Sequence, residues 1–166
     1  MQSTSILDRL LARPDPRVRL RAVLKVGRHA ARGTLKPVLR RLEVECDPAV
    51  IAALLVALAR LGSPRHLVVV TGYLRHRDHR VIRAAALALY RLGGEDALPL
   101  LIGLLGRGDE RVVKAALVAL LRTDAGTLFA HVTMLLRNPL SGPRAMGEAC
   151  RTWLGDPEVL ARPAPA

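Results

Sequence analysis

An Asp-x-x-Val tetrad occurs four times at nearly constant spacing, as Asp15/Val18, Asp47/Val50, Asp78/Val81 and Asp109/Val112. The intervals are 32, 31 and 31 residues. A fixed period of this size specifies stacked supersecondary units, each burying its apolar side against the next, rather than one core assembled from distant segments. At 166 residues the chain accommodates a single domain of this kind.

Within each period the apolar spacing predicts a helix, a loop and a second helix. In the third unit Asp78 is placed to N-cap a helix on which Val81, Ala85, Leu89 and Leu92 form one buried stripe at three- and four-residue intervals. Gly93-Gly94 stops that helix, because glycine tolerates the left-handed C-cap conformation. Leu98, Leu101, Ile102 and Leu105 then mark the inner face of the second helix. The second unit repeats the columns with Val50, Leu54, Leu58 and Leu61, then Leu67, Val70 and Leu74. The fourth has Val112, Ala116 and Leu120, then Phe129, Val132 and Leu136. The first has Val18, Ala22 and Val26, then Leu35, Leu39 and Leu42. The ends are atypical, as capping units are: a second-type helix at Ser5 to Ala12 opens the chain, and Ser141 to Leu154 gives a fifth first-type helix containing Gly147 and Trp153. A short helix is expected from Asp156, cut off by Pro163 and Pro165.

The run Asp78-His79-Arg80-Val81-Ile82-Arg83-Ala84-Ala85-Ala86-Leu87-Ala88-Leu89-Tyr90-Arg91-Leu92-Gly93 resembles the HEAT-like repeats first noted in phycobilin lyases. Asp47 to Gly62 matches nearly as well, and Asp109 to Leu121 follows until Thr123-Asp124 replaces the final Leu-Gly. Asp15 to Ala30 is more divergent. The expected fold is all-α, a solenoid of stacked antiparallel helix pairs. The resemblance implies a right-handed superhelix with first helices on the convex side and second helices lining the concave side. One repeat domain is expected over residues 1–160: a half unit at 1–14, units at 15–46, 47–77, 78–108 and 109–139, and a capping unit at 140–160. A Pro/Ala tail at 161–166 follows.

The second helices point to a binding face. With the apolar stripe turned inward, the outward slots hold Arg65, Val68, Val69, Gly72 and Arg75 in the second unit. In the third they hold Asp96, Pro99, Leu100, Gly103 and Arg107, and in the fourth Thr127, Ala130, His131, Met134 and Arg137. A small or apolar strip edged by arginines is the pattern of a protein-binding groove. The leading expectation is therefore a non-catalytic adaptor that holds an acidic or amphipathic partner segment on the concave face. Val68, Val69, Gly72, Leu100 and Met134 make the contact, and Arg65, Arg75, Arg107 and Arg137 steer it. Packing of position 100 and its equivalents against the neighbouring unit is the competing reading.

On the first helices, the positions opposite the buried stripe carry arginine columns: Arg17, Arg80 and Arg111; Arg83 and Lys114; and Arg28, Arg60, Arg91 and Arg122. With a formal net charge of +12, these columns suggest a nucleic-acid accessory protein as the alternative, bound through phosphates without sequence readout. The plainer reading is the solvated outside of an amphipathic helix, enriched in arginine by GC-rich coding, since Lys25, Lys36 and Lys114 are the only lysines. Single-strand binders also need aromatic platforms, and Tyr73, Tyr90, Phe129 and Trp153 are the whole aromatic complement. A lyase-like chaperone or DNA-repair enzyme is a third reading, carried by the repeat resemblance alone.

No catalytic constellation is legible. His76 and His79 flank Arg77-Asp78, where the arginines oppose a cation and the aspartate has a capping role, so neither metal nor cofactor is expected. Cys46 and Cys150 read as reduced thiols, and Cys46 lacks a histidine base. His66 and His131 read as packing or rim residues. No apolar stretch is long enough to span a bilayer, and a cytoplasmic protein is the expectation.

Overall fold

A computed structural model of the chain describes residues 6–29, 33–105, 109–137 and 141–154. Among these residues the fold is all-α, with ten α-helices, three short 3-10 turns and no strand. The helices are α1 (Ile6–Leu11), α2 (Pro16–His29), α3 (Leu35–Val44), α4 (Pro48–Leu61), α5 (Leu67–Gly72), α6 (His79–Gly93), α7 (Leu98–Leu105), α8 (Glu110–Leu120), α9 (Ala125–Leu136) and α10 (Ser141–Leu154). The short helix expected from Asp156 and the tail at 161–166 lie outside the described residues.

The repeated aspartates start the first helices. Asp47 accepts hydrogen bonds from the backbone N–H of Ala49 and Val50 at 2.9 and 3.0 Å. Asp78 accepts from Arg80 N–H and Asp109 from Arg111 N–H, both at 2.9 Å, and Asp15 from Arg17 N–H at 2.8 Å. Each satisfies a donor that the helix itself leaves orphaned. A fifth aspartate, Asp124, caps α9 through Thr127 N–H at 2.8 Å. Gly93 ends α6 and Gly94 follows at φ +54°, the left-handed region that favours glycine.

The first helices pack in a continuous row, α2 on α4, α4 on α6 and α6 on α8. Each second helix packs against the first helix that follows it, α3 on α4, α5 on α6 and α7 on α8. That connectivity is a solenoid of helix pairs, with a core running along the seam between the two layers. The predicted columns fill it: Val50, Leu54, Leu58, Val81, Ala85, Leu89, Val112, Ala116 and Leu120 are all buried. The first unit is less covered, with Val18, Val26, Leu35 and Leu39 only half-buried. In α9 the most buried side chains are Leu128, Val132 and Leu135, while Phe129 and Leu136 are half-buried.

The second helix of the second unit departs from a single regular rod. Residues Pro64–His66 and Tyr73–Arg75 are 3-10 turns on either side of α5. The β-branched run Val68-Val69-Val70-Thr71 followed by Gly72 has poor helix propensity. At the far end α10 packs on α9 and on α7. The Trp153 side chain lies outside the described residues.

Hydrogen bonds one period long tie neighbouring units. Tyr73 Oη donates to Leu42 carbonyl at 2.8 Å, and Tyr90 Oη donates to Arg122 carbonyl at 2.9 Å. Arg60 Nη1 donates to Gly27 carbonyl at 2.7 Å. All three acceptors lie at or just beyond helix C-termini, where carbonyls lack intrahelical partners.

Candidate functional site

The second-helix face is the more open of the two layers. Successive first helices touch, whereas a cleft of about 430 Å³ separates α5 and its trailing turn from α7. Thr71, Gly72, Leu74 and Arg75 form one wall, and Pro99, Leu100, Gly103 and Leu104 the other. Gly72 and Gly103 present no side chain into it. A Cβ added at Gly72 would meet nothing within 4 Å.

Of the residues singled out in the sequence, the cleft brings together Gly72, Arg75 and Leu100. Val68, Val69 and Met134 are exposed but do not line it, and Arg65 and Arg137 are exposed as well. Arg107 lies outside the described residues. The apolar members are well presented to solvent: Val68 is 81%, Met134 57% and Leu100 48% exposed. Leu100 is therefore not consumed by packing against the neighbouring unit. Thr71, Leu74 and Leu104 also line the cleft, and the outward-slot reading did not select them. Leu74 and Leu104 are core residues whose edges line the cleft.

The arginine columns of the first helices differ in their engagement. Arg80 pairs with Asp78 at 2.8 Å, Arg111 with Asp109 at 3.0 Å, and Lys114 with Glu110 at 2.6 Å. The Arg80 guanidinium and its N–H hold the Asp78 carboxyl far below the usual carboxylate range, and Arg111 lowers Asp109 in the same way. Arg60 is occupied by Gly27 carbonyl. Among the described residues Arg83, Arg91 and Arg122 form no ion pair. The Arg28 side chain lies outside the described residues.

A buried ion cluster ties α2 to the end of α3 within the first unit. Arg19 Nε and Nη2 donate to the two carboxylate oxygens of Glu45, each at 2.8 Å, and Arg19 Nη1 donates to the carbonyls of Arg13 and Pro14. Glu45 also accepts from Arg41 Nε at 2.8 Å and from the N–H groups of Cys46 and Asp47 at 3.0 Å. Burial alone would raise the Glu45 carboxyl. The two guanidiniums and two backbone donors outweigh it and bring it down to about 2. With both Glu45 oxygens and all three Arg19 nitrogens engaged, this cluster is structural.

The remaining chemistry-bearing residues are likewise engaged or isolated. His66 is buried and its Nδ1 accepts Ser63 N–H at 3.0 Å, which places the neutral ring's proton on Nε2. His76 Nδ1 accepts Asp78 N–H at 3.0 Å. Both cysteines are free; Cys46 is exposed, and burial pushes the Cys150 thiol up to about 11. Among the described residues no group of three His, Cys, Asp or Glu is placed to hold a metal ion. No described helix is long and apolar enough to cross a membrane.

Comparison with known proteins adds three findings. A family model described as HEAT repeats matches residues 35–122. No curated protein matches the chain. Among solved structures, a chain in the complex of CpcE and CpcF of phycocyanin lyase from Nostoc sp. PCC7120 is similar, with 21% identity and a TM-score of 0.59, over 95% of this chain and 67% of that one. An engineered protein has 19% identity and a TM-score of 0.48, over 90% of this chain and 78% of its own. The lyase likeness concerns the fold. The repeat match spans more than half of the chain and falls on the units whose capped, glycine-stopped helices stack as described: this chain belongs to the HEAT-repeat family.

Proposed function

We propose that the protein is a non-catalytic interaction scaffold that holds an acidic or amphipathic segment of a protein partner on its second-helix face. The observation that carries the reading is the cleft between α5 and α7. It presents an exposed Leu100 and a side-chain-free Gly72 floor beside the Arg75 guanidinium. An apolar edge entering such a cleft is desolvated, while a carboxylate beside it meets arginine, and the two effects together select segment and orientation. Val68, Val69 and Met134 extend the apolar contact, and Arg65, Arg107 and Arg137 supply further steering charge. A repeat fold also suits this role, because stacked units make long surfaces without needing a catalytic centre.

The test is photocrosslinking in the native host from a benzoylphenylalanine at position 100. A discrete protein adduct is expected, lost when Gly72→Trp fills the cleft and weakened by Arg75→Glu. An adduct indifferent to both substitutions, or adducts to nucleic acid alone, refutes the reading. Unchanged helical circular dichroism in both variants establishes that the fold has survived.

A further inference from the structure

Nine residues after each capping aspartate the four units carry Leu24, Val56, Leu87 and Val118. At about 100° per residue this position lies opposite the buried stripe, at the centre of the solvent side of the first helices. Leu24 is 47%, Val56 43% and Val118 39% exposed, and Leu87 is half-buried. A single exposed aliphatic residue is ordinary, but four in register on consecutive helices make a continuous apolar row.

The row runs along the floor of a basic surface. Arg60, Arg91 and Arg122 follow it on one side, and Arg83 and Lys114 on the other. Within α2, α4, α6 and α8 the only carboxylate is Glu110. Small residues deepen the row between helices. A crevice of about 100 Å³ lies between α4 and α6, lined by Val56 and Ala59 on one helix and by Ala84, Leu87 and Ala88 on the other. A wider one of about 330 Å³ lies between α6 and α8, beside Ala115 and Val118.

We propose that this face docks an acidic amphipathic α-helix of a partner protein, laid across the first helices with its apolar edge on Leu24, Val56, Leu87 and Val118. Its carboxylates then meet Arg83, Arg91 and Arg122. The spacing suits such an occupant. Packed helices repeat at about 8–10 Å, and seven residues of a helix advance about 10.5 Å. One apolar side chain per heptad therefore meets one apolar residue per unit. A nucleic-acid backbone fits less well, because phosphates set against the aliphatic row lose water without gaining a donor. The surface is separate from the cleft between α5 and α7 and does not depend on what occupies it.

The probe is a fluorescein-labelled synthetic helix of about 21 residues, or three heptads, with leucine at every seventh position and glutamate on both flanks. Binding to the full chain is read by fluorescence anisotropy at about 150 mM salt. Saturable binding is expected. Val56→Asp with Val118→Asp weakens it at least about tenfold, as loss of a central apolar contact does, and Arg91→Glu with Arg122→Glu weakens it and flattens its salt dependence. The titrations are made in a Leu100→Asp background, so that the cleft between α5 and α7 does not compete for the probe. The proposal is overturned by absence of binding, by equal binding of a scrambled peptide of the same composition, or by indifference to the aspartate pair. Tighter binding of duplex DNA or of phosphatidylserine vesicles through the same residues overturns it too. All substituted positions are at the surface, so circular dichroism remains that of the parent chain.

Discussion

Arg19 stands four residues after its capping aspartate, where the next three units carry Ile51, Ile82 and Val113. Those three are buried, and so is Arg19. A guanidinium in an apolar column demands a buried carboxylate, and Glu45 supplies it. The columns of exposed arginines were legible in the sequence. The inward one was not, because its partner lies a whole helix away and only the fold brings them together. The break in an otherwise aliphatic column was the available signal. Removing Glu45 leaves Arg19 buried without its counter-ion, so Glu45→Ala is expected to lose about 3–5 kcal/mol of stability. The sign of the pH dependence follows from the depressed carboxyl. Its contribution is complete above the unfolded value of about 4.3 and drains away as pH falls toward about 2. Urea denaturation at pH 7 and pH 3 checks both: the gap between parent and variant is wide at the first and narrower at the second.

At the scale of elements, the first helices follow their sequence signals closely. An aspartate cap, a buried stripe and a glycine stop all act within about one helix length, and local rules decide them. The second helices follow less closely. The turns flanking α5 reflect a β-branched run and Gly72, whose low helix propensity the apolar spacing alone does not weigh. The cleft between α5 and α7 is not legible, although the apolar spacing places Gly72 and Leu100 outward; outward slots say which residues face solvent, not how far apart two helices stand. Between units, Tyr73 and Tyr90 act as staples on helix-end carbonyls. Tyr73→Phe and Tyr90→Phe are each expected to cost about 0.5–1.5 kcal/mol, with the larger loss at Tyr73. Its hydroxyl is sufficiently buried to raise its titration above the ordinary phenol value. Thermal unfolding of the two variants and their combination checks this ordering. Gly147 fixes the seat of α10: a Cβ there would come within 3.0 Å of Leu136 N and Cγ on α9. Gly147→Val is expected to destabilise by about 1–3 kcal/mol through overpacking, and amide exchange of α10 should accelerate more than that of α4 or α6.

For the whole molecule, the row from α2 to α8 makes stability a chain of neighbour couplings rather than one shared core. In this row α6 lies between α4 and α8, while α5 and α7 pack on it from the other layer. It therefore opens only when units on both sides give way. The outer helices have neighbours on fewer sides, as the half-buried stripe of the first unit reflects. Hydrogen exchange by mass spectrometry should accordingly be slowest in α6, then α4, and fastest in α1 and α10. Leu89 is fully buried at the middle of α6, and Leu89→Ala should cost about 2–5 kcal/mol from the cavity it leaves. Its reach distinguishes the architecture. In a nearest-neighbour stack the loss of protection is greatest in α6, smaller in α4 and α8, and smallest in α2. A uniform loss from α2 to α10 would instead mean a single cooperative core, and the period that organises the sequence would then have no energetic counterpart in the folded chain.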